Sequence, residues 1–193
     1  MCPIATERLE LVSMSADVIE ALLDGRRAEA DAAAGVSIPD GWPDDHAARF
    51  LRLRAGQMRR DPAKTKWLVR AVTLRDTART MIGYAGFHGP PGVNGLEKPG
   101  ALELGYTIFE PHRGRGYASE VARALVDWAR AEHGIGHFVA SVAPDNAPSL
   151  AVVRRLGFVE TGRQWDDEDG WELVFELALT GPTGAVAEDT ASN

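Results

Sequence analysis

The chain predicts an α/β (α+β) fold, on three observations. Leu102, Leu104, Tyr106 and Ile108 alternate with Glu103, Gly105, Thr107 and Phe109, the period of an extended strand. A few residues later Val121, Leu125 and Trp128 recur at i, i+4 and i+7, while Glu120, Arg123, Asp127 and Arg130 point elsewhere, which describes an amphipathic helix. Segments of both kinds follow one another from Glu7 to Leu179.

Taken in order, Glu7 to Val12 alternates weakly and reads as a first strand. Ser15 is placed to cap a helix that carries Val18, Ile19, Leu22 and Leu23 on one face and stops at Gly25. The alanine-rich stretch from Arg26 to Gly35 fits either a helix or a mobile segment. Val36 to Asp44 is rich in turn formers around Trp42. Asp44 or Asp45 caps a second helix that buries Ala48, Leu51, Ala55 and Met58 and ends at Asp61-Pro62. Trp67 to Leu74 and Thr80 to His88 read as strands, and Gly89 to Gly100 is a loop dense in glycine and proline. Beyond the central strand and helix, Gly134 and Gly136 interrupt the pattern and His137 to Ala143 forms a fifth strand. Asn146 to Leu156 is a helix stopped by Gly157, and Phe158 to Gln164 with Trp171 to Leu179 make a hairpin around Asp166, Asp167, Glu168, Asp169 and Gly170. One domain over residues 1–180 and a disordered tail over 181–193 are expected.

Composition narrows the function. With 193 residues and 45% hydrophobic content, the chain suits a single core. A formal net charge of −7 argues against a nucleic-acid binder working through bulk charge. Cys2 is the only cysteine, so no internal disulfide forms and a reducing, cytoplasmic setting is expected. Charged residues break up the first twenty positions, and no stretch has the length of a membrane span. His46, His88, His112, His133 and His137 show no metal-ligand spacing, so no metal is expected.

Between the central strand and helix lie Arg113, Gly114, Arg115, Gly116, Tyr117 and Ala118. Two glycines allow close backbone approach to a ligand, and the first-turn amides and helix dipole add partial positive charge, which together describe an anion site suited to phosphate. A tight turn with two solvated arginines is the alternative. The Arg-x-x-Gly-x-Ala of residues 113–118, after ELGY and before an amphipathic helix, resembles the acyl-CoA pyrophosphate loop of the GNAT superfamily of N-acetyltransferases, and PHRGRGYASE is most similar to its Rim-type, ribosomal-protein branch. Asp145 to Ser149 followed by Arg155-Leu156-Gly157-Phe158 resembles that branch's Asn-x-x-Ser and Leu-Gly-Phe. The resemblance implies a mixed, mostly antiparallel sheet of about seven strands flanked by helices, splayed between the fourth and fifth strands. It implies acetyl-CoA as co-substrate, bound by Thr107, Ile108, Phe109, Arg113, Gly114, Arg115, Gly116, Tyr117, Ala118, Ser119, Asn146 and Ser149. The acceptor it implies is a primary amine, on a protein N-terminus or a small molecule, and a homodimer is among the assemblies it allows.

Acetyl transfer requires a neutral amine, a stabilised oxyanion and a proton for the departing thiolate. On the same resemblance Glu103 is the candidate base, with a solvent-facing strand residue as its alternative. Neutralising an α-amine near pH 7 costs only about 1 kcal/mol against roughly 4–5 for a lysine amine. Relatives often carry a tyrosine acid seven residues after the motif asparagine; here that position is Val153. Ser149 is the expected substitute, with helix capping as its alternative. Trp42 and Tyr106 are expected in the acceptor wall, with core packing as theirs. Two other classes stay open. One is a catalytically silent acyl-CoA binding module. The other is a dinucleotide-binding oxidoreductase, which the Gly114-Arg115-Gly116 start suggests but Ser119 at the third glycine position weakens.

Overall fold

The computed structural model describes residues 2–167 and 170–179. The predicted tail over 181–193, and Glu168 and Asp169 of the acidic run, lie outside the described residues. Local signals set the helix ends. Ser15 Oγ accepts from the Val18 amide at 3.3 Å and opens α1, Ala16–Leu23. Arg27–Ala34 forms α2, closed by Gly35 in the left-handed region, so the stretch that fitted either description is a helix. Asp44 Oδ1 accepts from the Ala47 amide at 2.8 Å and starts α3, Asp45–Arg60, which buries Ala47, Ala48, Leu51, Arg54, Ala55 and Met58.

Eight strands form one sheet. They are β1 (Ile4–Ala5), β2 (Leu9–Ser13), β3 (Arg70–Leu74), β4 (Met81–Phe87), β5 (Leu102–Ile108), β6 (His137–Val142), β7 (Val159–Asp166) and β8 (Gly170–Ala178), ordered β1-β2-β3-β4-β5-β6-β8-β7. The sequence expectation of about seven omits β1, which has only two residues and offers no alternation to read. It also starts the strand at Trp67 too early: residues 62–66 form a 3-10 turn, and the ladder begins at Arg70. Helix α4, Tyr117–His133, follows β5, and α5, Ala147–Arg155, follows β6.

Strand alternation sends side chains to two cores. Leu9, Leu11, Val72, Ile82, Leu102 and Phe138 meet Val121, Leu125 and Ala129 of α4 and Leu150 and Val153 of α5. On the opposite face Ala71 and Met81 meet Ile19 and Leu22 of α1 and Leu51 and Met58 of α3. Each buried Leu, Ile, Val or Met contributes about 1.5–3 kcal/mol, so helices on both faces are held by the sheet between them.

All neighbouring strands pair antiparallel except β5 and β6, which pair parallel only at Leu102 with Phe138 and Glu103 with Val139. Past that point β5 keeps its ladder with β4, and β6 keeps its ladder with β8. The expected splay between the fourth and fifth predicted strands is therefore present, opening after Glu103. A mostly antiparallel sheet is also not the parallel, doubly wound sheet that a dinucleotide oxidoreductase requires.

Candidate active site

Gly114 and Gly116 adopt φ of 74° and 79°. A residue with a Cβ pays about 1–2 kcal/mol in that region, which is why the loop is glycine at both turns. Gly116 is the N-cap of α4 and provides no side-chain cap, and the first helical bond runs from the Glu120 amide to Gly116 O at 3.2 Å. The amides of Gly114, Arg115, Gly116, Tyr117, Ala118 and Ser119 have no acceptor among the described residues. Unpaired donors at the positive end of a helix suit an anion.

The loop is held from outside. Arg8 Nη1 donates to Arg115 O at 3.0 Å, its Nε donates to Glu120 Oε2 at 2.7 Å, and its guanidinium lies 4.6 Å from the centre of the Tyr117 ring. Thr6 Oγ1 donates to Glu120 Oε1 at 2.5 Å, and these contacts hold the Glu120 carboxyl below its ordinary range despite burial acting the other way. Thus the β1–β2 segment clamps the first turn of α4. Neither Thr6 nor Arg8 belongs to a motif, and the link spans more than a hundred residues of sequence.

A cleft of about 580 Å³ runs from this loop to the β5–β6 divergence. Of the residues expected to bind acetyl-CoA, Thr107, Ile108, Arg113, Gly114, Gly116, Tyr117, Ala118, Ser119, Asn146 and Ser149 line it. Two do not. Phe109 turns to the other core, 5.8 Å from Trp42 and 6.4 Å from Tyr84 between ring centres, and Arg115 directs its guanidinium to Pro111 O. His112 and Arg155 line the cleft as well, adding basic groups that the sequence reading passed over.

A second cleft of about 350 Å³ lies across the divergence and shares Tyr106, Thr107, Asn146 and Ser149 with the first. Its other walls come from five elements: His46, Phe50 and Arg54 of α3, Tyr84 of β4 with His88 just beyond it, Ser141 of β6, Val153 of α5 and Glu172 of β8. Arg54 is 8% exposed, and its Nη1 donates to His88 O at 2.7 Å and Gln57 Oε1 at 3.0 Å. Burial pushes its pKa down, opposed by the field of Glu103.

The four shared residues sit where the two clefts meet. Asn146 is the N-cap of α5, its Oδ1 accepting from the Ser149 amide at 3.2 Å, so capping falls to Asn146 and not to the Ser149 hydroxyl. Val153 is 1% exposed and packed into the core, so no acid stands at the usual tyrosine position. The Tyr106 hydroxyl, however, is buried beside Ser149 without a closed hydrogen bond. Burial pushes its pKa up, partly offset by the Ser149 hydroxyl, so it stays protonated.

Two expectations are corrected in position. Trp42 lines neither cleft: it is 8% exposed and rests 5.6 Å from Tyr84, supporting the acceptor wall from behind, because its large ring is needed to fill the space between α3 and the sheet. Glu103 is 1% exposed and also lines neither cleft. Its carboxylate accepts from the Gly95 amide at 2.6 Å and the Ser141 hydroxyl at 2.7 Å, beneath the cleft floor where β5 and β6 still pair. Among the described residues no cluster of His, Cys, Asp or Glu is arranged to hold a metal, and no helix is long and apolar enough to cross a membrane.

The family described as Acetyltransferase (GNAT) domain matches residues 8–159. The chain is 32% identical over 79 residues, 41% of its length, to the uncharacterized N-acetyltransferase YjdG of Bacillus subtilis, covering 44% of that protein. It is likewise 32% identical over 88 residues, 46% of its length, to an L-methionine sulfoximine/L-methionine sulfone acetyltransferase of Pseudomonas aeruginosa, covering 49% of it. The chain thus spans about half the length of these curated relatives. A solved structure of RimL, a ribosomal L7/L12 alpha-N-protein acetyltransferase in complex with coenzyme A, has the same fold, with a TM-score of 0.60 and 20% identity over 92% of this chain and 98% of that one.

Proposed function

Since the chain belongs to the GNAT acetyltransferase family, we propose that it moves an acetyl group from acetyl-CoA to a primary amine by direct attack while both substrates are bound. The observation that carries this reading is the pair of clefts meeting at four shared residues where β5 and β6 part. The donor's diphosphate fits the unpaired amides of residues 114–119, with Arg113 and Arg155 supplying charge. Its arm fits the opening along Thr107 and Ile108. The amine enters from the second cleft.

Held this way, the reacting atoms meet beside Ser149 and Tyr106. The Ser149 hydroxyl and the unpaired Tyr106 hydroxyl are the donors available to the sulfur as it leaves. A thiol has a pKa of about 8.5, so a hydrogen bond suffices to ease its departure. Two hydroxyls thereby stand in for the tyrosine that Val153 replaces.

Two of the proteins named above differ in acceptor, one acting on a free amino-acid derivative and one on a protein N-terminus. Thiol release from acetyl-CoA with L-methionine sulfone, with peptides bearing a free N-terminal serine or alanine, and with a lysine side-chain amine tests the reading. Turnover with at least one α-amine, and slower turnover with the lysine amine, is expected. Tight binding of coenzyme A in calorimetry with no thiol release for any amine would leave an acyl-CoA binding module instead.

A further inference from the structure

We propose that His88, oriented by the buried carboxylate of Glu103, is the group that accepts the proton of the acceptor amine; this rests on the acetyl transfer proposed above. His88 stands one residue past β4, its side chain 48% exposed on the wall of the acceptor cleft. Its Nδ1 lies 3.4 Å from Glu103 Oε2. Glu103 is enclosed by the Gly95 amide and by Ser141, whose oxygen in turn accepts from Gln164 Nε2 at 3.0 Å. Of the groups that touch this carboxylate, His88 is the titratable one that reaches the cleft.

The ring is fixed on several sides. The His88 amide donates to Glu103 O at 2.8 Å, and its carbonyl accepts from Arg54 Nη1 at 2.7 Å, so the backbone is tied to both β5 and α3. The ring lies against Gly105, where a Cβ would come within 3.3 Å of Nε2. A bare strand position leaves that nitrogen its room. A carboxylate facing Nδ1 keeps the proton on that nitrogen, leaves a lone pair on Nε2, and stabilises the imidazolium that forms on proton uptake.

The carboxylate is poorly suited to take the proton itself. Burial alone would raise its pKa, but His88, Ser141 and the Gly95 amide outweigh burial and hold it at about 2. Taking a proton from an α-ammonium group is steeply uphill for a carboxylate held below its ordinary range. The step we assign is therefore a single proton transfer. As the amine nitrogen bonds to the thioester carbonyl carbon, its proton passes to His88 Nε2. The carbon–sulfur bond then breaks with its electron pair on sulfur, and the thiolate so formed takes up a proton from water while the imidazolium returns its own proton to water, giving amide, thiol and free imidazole.

The charged or titratable groups around the ring are Glu103 on β5, Arg54 and His46 on α3, and Glu172 on β8. His88→Gln keeps an amide near Glu103 but cannot take up a proton. It is expected to lower kcat/KM for the amine at least thirtyfold, to leave the Kd for coenzyme A within twofold, and to abolish the acid-side limb of the kcat/KM profile. Added imidazole should restore activity to His88→Ala, and His46→Gln and Glu172→Gln should keep the acid limb. A His88→Gln enzyme that retains the acid limb and more than half of its kcat/KM overturns the role of His88 while leaving acetyl transfer intact. A wild-type chain that transfers acetyl to none of the amines overturns the underlying reading and this role with it.

Discussion

The two clefts that meet at the β5–β6 divergence are built from different material. The cleft proposed for the donor is mainly backbone: six amides on one loop and helix start that have no acceptor among the described residues, with two glycines in left-handed conformation. The cleft proposed for the acceptor is mainly side chains, drawn from α3, β4, β6, α5 and β8 and anchored by a buried carboxylate. A backbone site recognises what every acyl-CoA shares, so one loop can be kept across many acceptors. A side-chain site changes with each substitution, which is where relatives with different acceptors are free to differ.

Four perturbations sharpen that contrast, and the largest concerns the acceptor side. The Glu103 carboxyl is held at about 2 against an ordinary 4.5, so its stabilisation is fully present above pH 4.5 and is lost as pH falls through 2. That window is worth about 3 kcal/mol. Denaturant titrations from pH 5 to pH 2 should show a decline in wild type that is correspondingly shallower in Glu103→Gln; parallel curves would remove the carboxylate as an anchor. On the donor side, Gly116→Asp forces a Cβ into φ 79° and sets a negative charge against an incoming diphosphate. The Kd for coenzyme A should rise roughly a hundredfold by calorimetry, equal to about 2.7 kcal/mol.

At the junction, Tyr106→Phe removes a buried hydroxyl whose one polar neighbour is Ser149 and whose hydrogen bond is not closed, so folding stability should change by less than about 1 kcal/mol. The kcat should fall roughly tenfold with coenzyme A affinity preserved, a split that separates chemistry from packing. The smallest effect belongs to Arg8→Ala. Its pair with Glu120 is 45% exposed on the arginine side, and exposed pairs contribute about 0.2–1 kcal/mol. Coenzyme A should bind about threefold more weakly, and an unchanged Kd would show that the loop keeps its shape without the clamp.

The contrast between the clefts also decides what the sequence made legible. The alternation of Leu102 to Ile108, the glycines at 114 and 116 and the cap at Asn146 are short-range signals, and Tyr106 to Ile108, both glycines and Asn146 line the larger cleft. Ten of the twelve residues that the motif resemblance groups together line that cleft, which leaves their role in holding a donor to the proposal above. Phe109 lies just past β5, where the chain turns into a 3-10 helix, and its ring packs against Trp42 and Tyr84 on the other face of the sheet. His88, Arg54 and Tyr84 carry no periodicity that distinguishes them from neighbours; only the register of β4 against β5 brings His88 to Glu103. Glu103 itself was identified as important from ELGY, but whether a strand residue faces solvent or a covered floor depends on Gly95 and Ser141, which no local pattern links to it. Arg8 and Glu120 illustrate the same limit across 112 residues.

The short pairing of β5 with β6 carries one more consequence. Two ladder positions join the halves of the sheet, while the apolar layer above α4 runs uninterrupted across both. The gap is thus propped by the helix below, and no interstrand hydrogen bond has to break before an elongated guest slides in. Uptake should proceed as a single encounter, with an observed rate that climbs in proportion to concentration instead of levelling off at the speed of some prior rearrangement.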